Sequence, residues 1–170
     1  RHKKKAKEHK EKDANLDPDI NAMSSPLAAA KTPYREAAAK VEADKRAALT
    51  VGEIWAVYVE ARRPHWGDLH YKDHLKLARA GGVKATRGTD GRGVTIDMPL
   101  CPLMGKQLRE LDAATVEAWA AEQAKTRPTS ARLAWRLLKV FLNWCAEQSE
   151  YAELLPAKNA AATRTSREAL

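Results

Sequence analysis

Among the residues of this sequence, the basic side chains between Lys125 and Ala146 are the best placed to bind a ligand. The segment KTRPTSARLAWRLLKVFLNWCA holds five basic residues and no acidic one. Read as a helix, it has an apolar side formed by Leu133, Ala134, Leu137, Leu138, Val140, Phe141 and Trp144. Its opposite side carries Arg132, Arg136, Lys139 and Asn143. One side can therefore enter a core while the other side binds a polyanion.

A second segment repeats this arrangement. Residues 67–80 predict a helix that ends at Gly81-Gly82, with an inner face formed by Tyr71, Leu75 and Ala78. Its outer face carries a basic stripe at i, i+4 and i+7, formed by Lys72, Lys76 and Arg79. One such stripe is usually a solvated helix surface. Two stripes, each opposite an apolar face, favour pairing with DNA phosphates and contact with base edges in the major groove.

The composition agrees with a polyanionic partner. The 170 residues include 30 Lys and Arg against 22 Asp and Glu, a net charge of +8, and 44% are hydrophobic. This length predicts one domain with tails, or at most two small domains. No apolar run approaches the roughly 20 residues of a membrane span, and no signal peptide is recognisable. Two distant cysteines, Cys101 and Cys145, indicate a reducing cytoplasm, with Cys145 in the core.

Helix signals outline the elements that must position the basic residues. Thr50 and Glu53 form a capping box before a helix that ends at Pro64 and buries Val51, Ile54, Trp55 and Tyr58. Another helix follows Asp112 and buries Val116, Trp119 and Ala120. The long basic helix begins after a break at 126–129 and runs to about Gln148. The pattern predicts an all-α bundle of four principal helices.

Residues 82–106 interrupt this pattern with five glycines and two prolines. We expect no helix there, but a long basic loop or a small β-hairpin around Val94-Thr95-Ile96. Outside this insertion, Trp66 and Trp135 fall off the apolar faces. Each of these two side chains can pack on a neighbouring helix or on the deoxyribose-phosphate surface.

Motifs of enzymes and metal sites are missing from the sequence. The glycine-rich RGTDGRG at 87–93 lacks the Lys-Ser/Thr of a phosphate-binding loop. The sequence contains neither Gly-x-Ser-x-Gly nor His-Glu-x-x-His. His70 and His74 are spaced i, i+4, but no second ligand cluster accompanies them. We therefore predict no catalytic residue, no metal and no cofactor, and expect these histidines to be partly buried or to face DNA.

Four stretches in this order resemble the N-terminal core-binding domain of tyrosine recombinases of the phage-integrase type. They are TVGEIWAVYVEAR at 50–62, HYKDHLKLARAGG at 70–82, LRELDAATVEAWAAEQ at 108–123 and RPTSARLAWRLLKVFLNWCAEQ at 127–148. The resemblance implies a SAM-like bundle of four to five helices, with a long loop or hairpin between the second and third core helices. With a catalytic domain, such a bundle forms a C-shaped clamp around the recombination site.

In that family the second and fourth helices face DNA. The resemblance therefore implies DNA-binding roles for Lys72, Lys76 and Arg79 on the second helix, and for Arg127, Ser130, Arg132, Arg136 and Lys139 on the fourth. The basic loop between the helices adds Arg87.

The resemblance also sets expectations for domains and activity. Residues 1–33 are expected to be a disordered basic tail and linker, 34–48 a lead-in helix, 49–157 the core-binding domain and 158–170 a linker toward an absent catalytic domain. The family's catalytic arginines, lysine, histidines and tyrosine nucleophile lie in a C-terminal domain that nothing here matches. This fragment is therefore not expected to be an enzyme, although the full-length protein is expected to be a site-specific DNA recombinase.

The expected partners are double-stranded DNA at the recombination site, the protein's own C-terminal catalytic domain and other recombinase protomers, with no membrane. The expected location is the cytoplasm of a bacterium, near its nucleoid, for a bacterial or phage-encoded protein. Two other functions stay open at this point. One is a helical protein–protein interaction module with an acidic partner. The other is a stand-alone helix-turn-helix regulator, which needs two helices joined by a turn of three or four residues.

Overall fold

The chain forms eight α-helices in the segments that the computed structural model describes, which are residues 26–85, 93–157 and 159–170. The helices are α1 (Pro26–Ala47), α2 (Val51–Arg62), α3 (Asp68–Leu77), α4 (Cys101–Met104), α5 (Ala113–Thr126), α6 (Pro128–Glu147), α7 (Ser149–Ala152) and α8 (Arg164–Ala169). Three 3-10 turns accompany them, at Arg63–His65, Leu108–Glu110 and Ala160–Ala162. No β-strand occurs in these segments, so the all-α prediction is confirmed.

The chain divides into two compact units, Arg1–Ala43 and Asp44–Leu170. The described part of the first unit is most of α1, which begins at Pro26 rather than at the predicted residue 34. Its first turns fall in the expected linker because LAAAK after Pro26 is a run of strong helix formers. Residues 1–25 of the expected tail lie outside the described residues. No helix of the described segments is long and apolar enough to cross a membrane.

The predicted helix starts of the second unit are confirmed by their caps. The Oγ1 of Thr50 accepts a hydrogen bond from the Glu53 N–H at 3.3 Å, and the Glu53 carboxylate accepts from the Thr50 N–H at 2.7 Å. At α5, Asp112 Oδ1 accepts from the Thr115 N–H at 2.8 Å. These backbone hydrogen bonds hold the pKa values of Glu53 and Asp112 below their ordinary values.

One side of α6 is the centre of the core. Its buried residues are Ala131, Ala134, Leu137, Leu138, Phe141, Leu142 and Cys145. Burial raises the pKa of the Cys145 thiol to about 12, so this side chain is a neutral core residue, as expected. The prediction is wrong at Val140, which is 51% exposed. Residue 140 follows Arg136 by four positions and precedes Asn143 by three, so it shares their side of the helix.

The core face of α3 also differs from the prediction. The helix ends at Leu77, and its buried residues are His74 and Leu77, while Leu75 is 48% exposed. The reason is an aromatic stack that apolar periodicity does not reveal. The ring of Trp66 lies 4.0 Å from the ring of His74 at an interplanar angle of 22°. Trp55 packs against the same imidazole, with its centroid 5.5 Å away.

His74 is held in the core as a neutral ring. Its Nδ1 lies 2.8 Å from the carbonyl oxygen of His70, so Nδ1 carries the proton and donates. Its Nε2 is buried without a hydrogen-bond partner in the described part of the chain. Burial lowers the pKa of His74, and the bond to the His70 carbonyl only partly opposes that effect.

The described parts of the predicted loop, residues 82–85 and 93–106, pair and fold more than a loop would. The Gly82 N–H donates to the Thr95 carbonyl at 2.7 Å, and the Ala85 N–H to the Gly93 carbonyl at 2.8 Å. Lys84 and Val94 form an isolated antiparallel bridge between these bonds. The expectation of no helix here is wrong, because α4 occupies Cys101–Met104. Pro102 fits there because the first turn of a helix needs no donor from it.

The extended segment 93–100, here called the arm, ties three elements together. Its Met98 N–H donates to the Arg79 carbonyl at 3.0 Å, and its Leu100 N–H to the Leu77 carbonyl at 2.9 Å. The indole N–H of Trp119 on α5 donates to the Pro99 carbonyl at 2.7 Å. The arm therefore joins the end of α3 to α5.

Residues 159–170 are folded onto the bundle rather than extended as a linker. They contact α5 and α6 and bury Ala160, Ala161 and Ser166. Thr163 caps α8, since its side chain accepts from the Ser166 N–H at 3.1 Å. Small alanines allow this close packing, a cue that the sequence interpretation missed. Lys158, at the start of the expected linker, lies outside the described residues.

His74 predicts a pH-dependent stability. Because its pKa is lower in the folded chain than the ordinary 6.5, the unfolded chain binds protons first. Stability from the neutral ring is complete above about pH 6.5 and is lost as the pH falls through that value toward the folded pKa. Urea unfolding at several pH values should show that the free energy of unfolding falls more steeply with decreasing pH in the wild type than in His74→Phe. Equal slopes in the two proteins would contradict this.

Gly81 predicts a local effect on the arm. A Cβ at residue 81 would lie 2.5 Å from the Ile96 carbonyl carbon, so Gly81→Ala must displace the arm. We expect the amides of Gly82 and Thr95 to exchange with solvent at least about fivefold faster, since overpacking costs about 1–3 kcal/mol. Hydrogen exchange measures this. The control is Gly105→Ala, whose Cβ would have no atom within 4 Å.

Candidate nucleic-acid interface

The predicted basic stripe on the second helix is exposed. Lys72 and Lys76 lie on α3, and Arg79 follows its last turn. None of the three side chains forms a hydrogen bond or ion pair with another residue in segments 26–85, 93–157 and 159–170. The stripe thus presents three unneutralised cations to solvent.

The basic residues of α6 differ in their surroundings. Arg136 is exposed and has no hydrogen bond or ion pair within the described segments. Arg132 is exposed too, but its Nε donates to the main-chain oxygen of Leu170. Lys139 is half-buried, with its Nζ 4.7 Å from the centroid of the Trp135 ring, in a cation–π contact. Arg136 is therefore the α6 cation most available to a ligand.

Arg127 and Ser130 lie at the start of α6 and are half-buried. The Arg127 guanidinium donates to the Asp97 carbonyl at 2.5 Å and to Gln123 Oε1 at 3.2 Å. It thereby binds the arm to the junction of α5 and α6, a positional role that the sequence did not reveal. Arg87 of the predicted set lies outside the described residues.

The C-terminal segment covers one edge of the predicted polar side of α6. Asn159 donates to the Lys139 carbonyl at 3.0 Å and to Asn143 Oδ1 at 2.6 Å. The indole N–H of Trp135 donates to the Ala161 carbonyl at 2.9 Å. The exposed part of this side is therefore narrower than predicted, and it centres on Arg132 and Arg136.

Both tryptophans with open assignments pack inside the protein. Trp66 stacks on His74 and meets the Tyr58 ring edge-on, with centroids 5.4 Å apart. Trp135 packs against the core and bonds to Ala161, as described above. The structure thus favours the packing alternative for each, and neither ring needs DNA to account for its position.

The ion pairs of the described segments leave the candidate cations free. They include Arg63 with Glu60, Lys125 with Glu122 and Arg164 with Glu168. The hydrogen bond from Lys125 to Glu122 raises the pKa of that lysine. Lys125 is therefore neutralised locally, although it belongs to the acid-free run of residues 125–146. The stripe cations and Arg136 remain. Lys72 and Lys76 lie on α3, Arg79 follows its last turn, and Arg136 lies on α6, which contacts α3.

Two other kinds of site find no support in the described residues. No group of three His, Cys, Asp or Glu side chains there is placed to hold a metal ion. At the predicted break of residues 126–129, α5 and α6 are separated by Arg127 alone, so no turn of three or four residues for a helix-turn-helix exists there.

Comparison with known proteins agrees with this arrangement. A family model for the phage integrase core-binding domain matches residues 50–168. The chain is 28% identical over 153 residues to the prophage integrase IntF of Escherichia coli (strain K12). That match covers 85% of this chain but only 30% of the relative's length. No solved structure matches the chain. Because the family model spans most of the all-α second unit, the chain belongs to the phage integrase core-binding domain family.

Proposed function

We propose that this chain grips double-stranded DNA at the recombination site of a site-specific tyrosine recombinase. The observation that supports it best is a set of four exposed cations, on or directly after two contacting helices, that have no ion-pair partner within the described residues: Lys72, Lys76, Arg79 and Arg136. Family membership indicates a DNA-binding role in recombination. Individual residues are assigned to the contact with the duplex by their exposure and charge.

The physical basis is release of counterions from the duplex. Exposed lysine and arginine side chains lose little solvation when they pair with phosphates, and each pair frees a condensed cation into solution. Arg136 can also form two parallel hydrogen bonds to one phosphate or to a guanine edge. We assign Arg132 and Lys139 to secondary contacts, since each already has an internal partner. Ser130 and Arg87 stay in the proposed set as predicted from the sequence.

The chemistry of recombination is proposed to belong to a catalytic domain of the same protein. The prophage relative is much longer than its matched region, which leaves room for such a domain there. The DNA-binding unit is proposed to comprise residues 49–157 together with the packed segment 159–170. The proposed partners are DNA, that catalytic domain and other protomers on the same site, in the bacterial cytoplasm.

DNA affinity should depend strongly on salt. If the chain neutralises about six phosphates, log affinity should fall with log salt at a slope of roughly −5. Fluorescence anisotropy with a labelled mixed-sequence duplex, over about 50 to 200 mM salt, measures this slope. Lys72→Ala plus Arg136→Ala should reduce the magnitude of the slope by about 2.

The matched control removes the same charge from another surface. Lys106 and Arg109 are exposed residues between α4 and α5, so Lys106→Ala plus Arg109→Ala should alter affinity much less. Equal losses from the two double variants would show that only net charge matters and that the proposed interface is misplaced. A flat salt response of the wild type would refute DNA binding itself.

Arg127 and Arg136 should separate stability from binding. Arg127→Ala removes two hydrogen bonds from a half-buried side chain and should lower the free energy of unfolding by about 1–3 kcal/mol. Arg136→Ala should stay within about 0.5 kcal/mol of the wild type while it weakens DNA binding. Urea unfolding and anisotropy on the same preparations test both statements. If Arg136→Ala lowered the free energy of unfolding but left DNA binding unchanged, the assignment of Arg136 to the interface would be wrong.

A further inference from the structure

The two segments paired at residues 82–85 and 93–96 expose an apolar surface that the fold does not use. Val94 and Ile96 are each 66% exposed, although both are branched hydrophobic side chains. They lie two residues apart on one segment, so they point to the same side of the pair. Lys84 is exposed and forms the bridge with Val94, which places its side chain on that side as well.

This surface is held firmly next to the basic stripe of α3. The Met98 N–H binds the carbonyl of Arg79, the last cation of the stripe. Asp97 Oδ1 accepts from the Gly81 N–H at 2.7 Å, and Arg127 binds the Asp97 carbonyl. Residues 93–97 therefore cannot swing away from α3 without the loss of several hydrogen bonds. The segment that carries Val94 and Ile96 is therefore anchored by its backbone beside Arg79.

The charged residues of 81–85 and 93–97 are one lysine and one aspartate, so the described part of the ribbon has no net charge. Asp97 is the one acidic residue within 81–85 and 93–97, and its carboxylate already accepts a backbone hydrogen bond. Lys84 contributes a free cation within the described segments. Two branched side chains and a lysine stem cover far less than the roughly 800 Å² per partner of a standard protein interface. A narrow two-stranded ribbon that exposes one lysine and two apolar side chains instead matches the width of the DNA major groove.

We propose that this paired segment enters a groove of the duplex bound by α3 and α6, as a third contact. Val94 and Ile96 pack against base edges such as the thymine methyl, and Lys84 pairs with a phosphate of the flanking backbone. The inference rests on the proposed function, because α3 and α6 must bring the duplex to the ribbon. Val94 and Ile96 thereby add an apolar contact to an interface whose other proposed members are cations.

The experiment compares salt dependences of DNA binding. Val94→Thr plus Ile96→Thr keeps the β-branched shape and removes no charge. Its dissociation constant should rise roughly fivefold to tenfold at every salt concentration, with the slope of log affinity unchanged. Lys84→Ala should instead reduce the magnitude of the slope by about 1. The probe is a labelled mixed-sequence duplex of about three helical turns, titrated with the full chain.

The control is Val57→Thr on α2, because Val57 is 51% exposed and lies away from the ribbon in sequence. It should leave the affinity unchanged, and thermal unfolding should show that all variants fold. Gly81→Ala, which displaces the arm, should weaken DNA binding by a similar factor to the double threonine variant at every salt concentration.

Three results would overturn the proposal. Wild-type affinity in the double threonine variant would remove the ribbon from the interface while DNA binding itself stands. Self-association of the wild type without DNA, lost in that variant, would assign the patch to a protein contact. Failure of the wild type to bind the duplex even at low salt would refute the proposed function and this inference together.

Discussion

Burial of one side of α6 is the constraint on which the second unit depends. Seven residues of this helix are buried, from Ala131 to Cys145, and α2, α3, α5 and the C-terminal segment all pack against it. Once that side is committed to the core, the 3.6-residue helical period turns Arg132 and Arg136 to solvent. The same packing that stabilises the fold therefore exposes these two cations to solvent, without any cost of charge burial.

The arm fixes the position of α3 relative to the α5–α6 junction. α3 has only ten residues, and two of them are buried. The backbone N–H groups of Met98 and Leu100 donate hydrogen bonds to carbonyls at the end of α3. The side chains of Trp119 and Arg127 donate to carbonyls of the arm from the other side. Such a closed set of hydrogen bonds resists displacement, because each broken bond leaves a polar group without its partner. An insertion that looks dispensable by composition thus connects the two basic helices.

The C-terminal segment limits the proposed interface on α6. By binding Asn143, the Lys139 carbonyl and Trp135, it removes one edge of α6 from the surface that a ligand can reach. It also shows why charge patterns overestimate binding surfaces. Lys139 and Arg127 have the right charge and spacing, yet one stacks on an indole and the other holds the arm. Exposed charge, rather than charge in sequence, is what a polyanion meets.

Sequence alone determined the features that depend on neighbours within one or two turns. The capping box at Thr50, the cap at Asp112 and the buried face centred on Leu137 and Phe141 follow from local hydrogen bonds and helical period. Tertiary structure decided what depends on contacts between distant residues, such as the burial of His74 beneath Trp66 and the folded state of 159–170. It also separated the structural Arg127 from the free Arg136, because a side chain's partner across the fold leaves no periodic signal in the sequence.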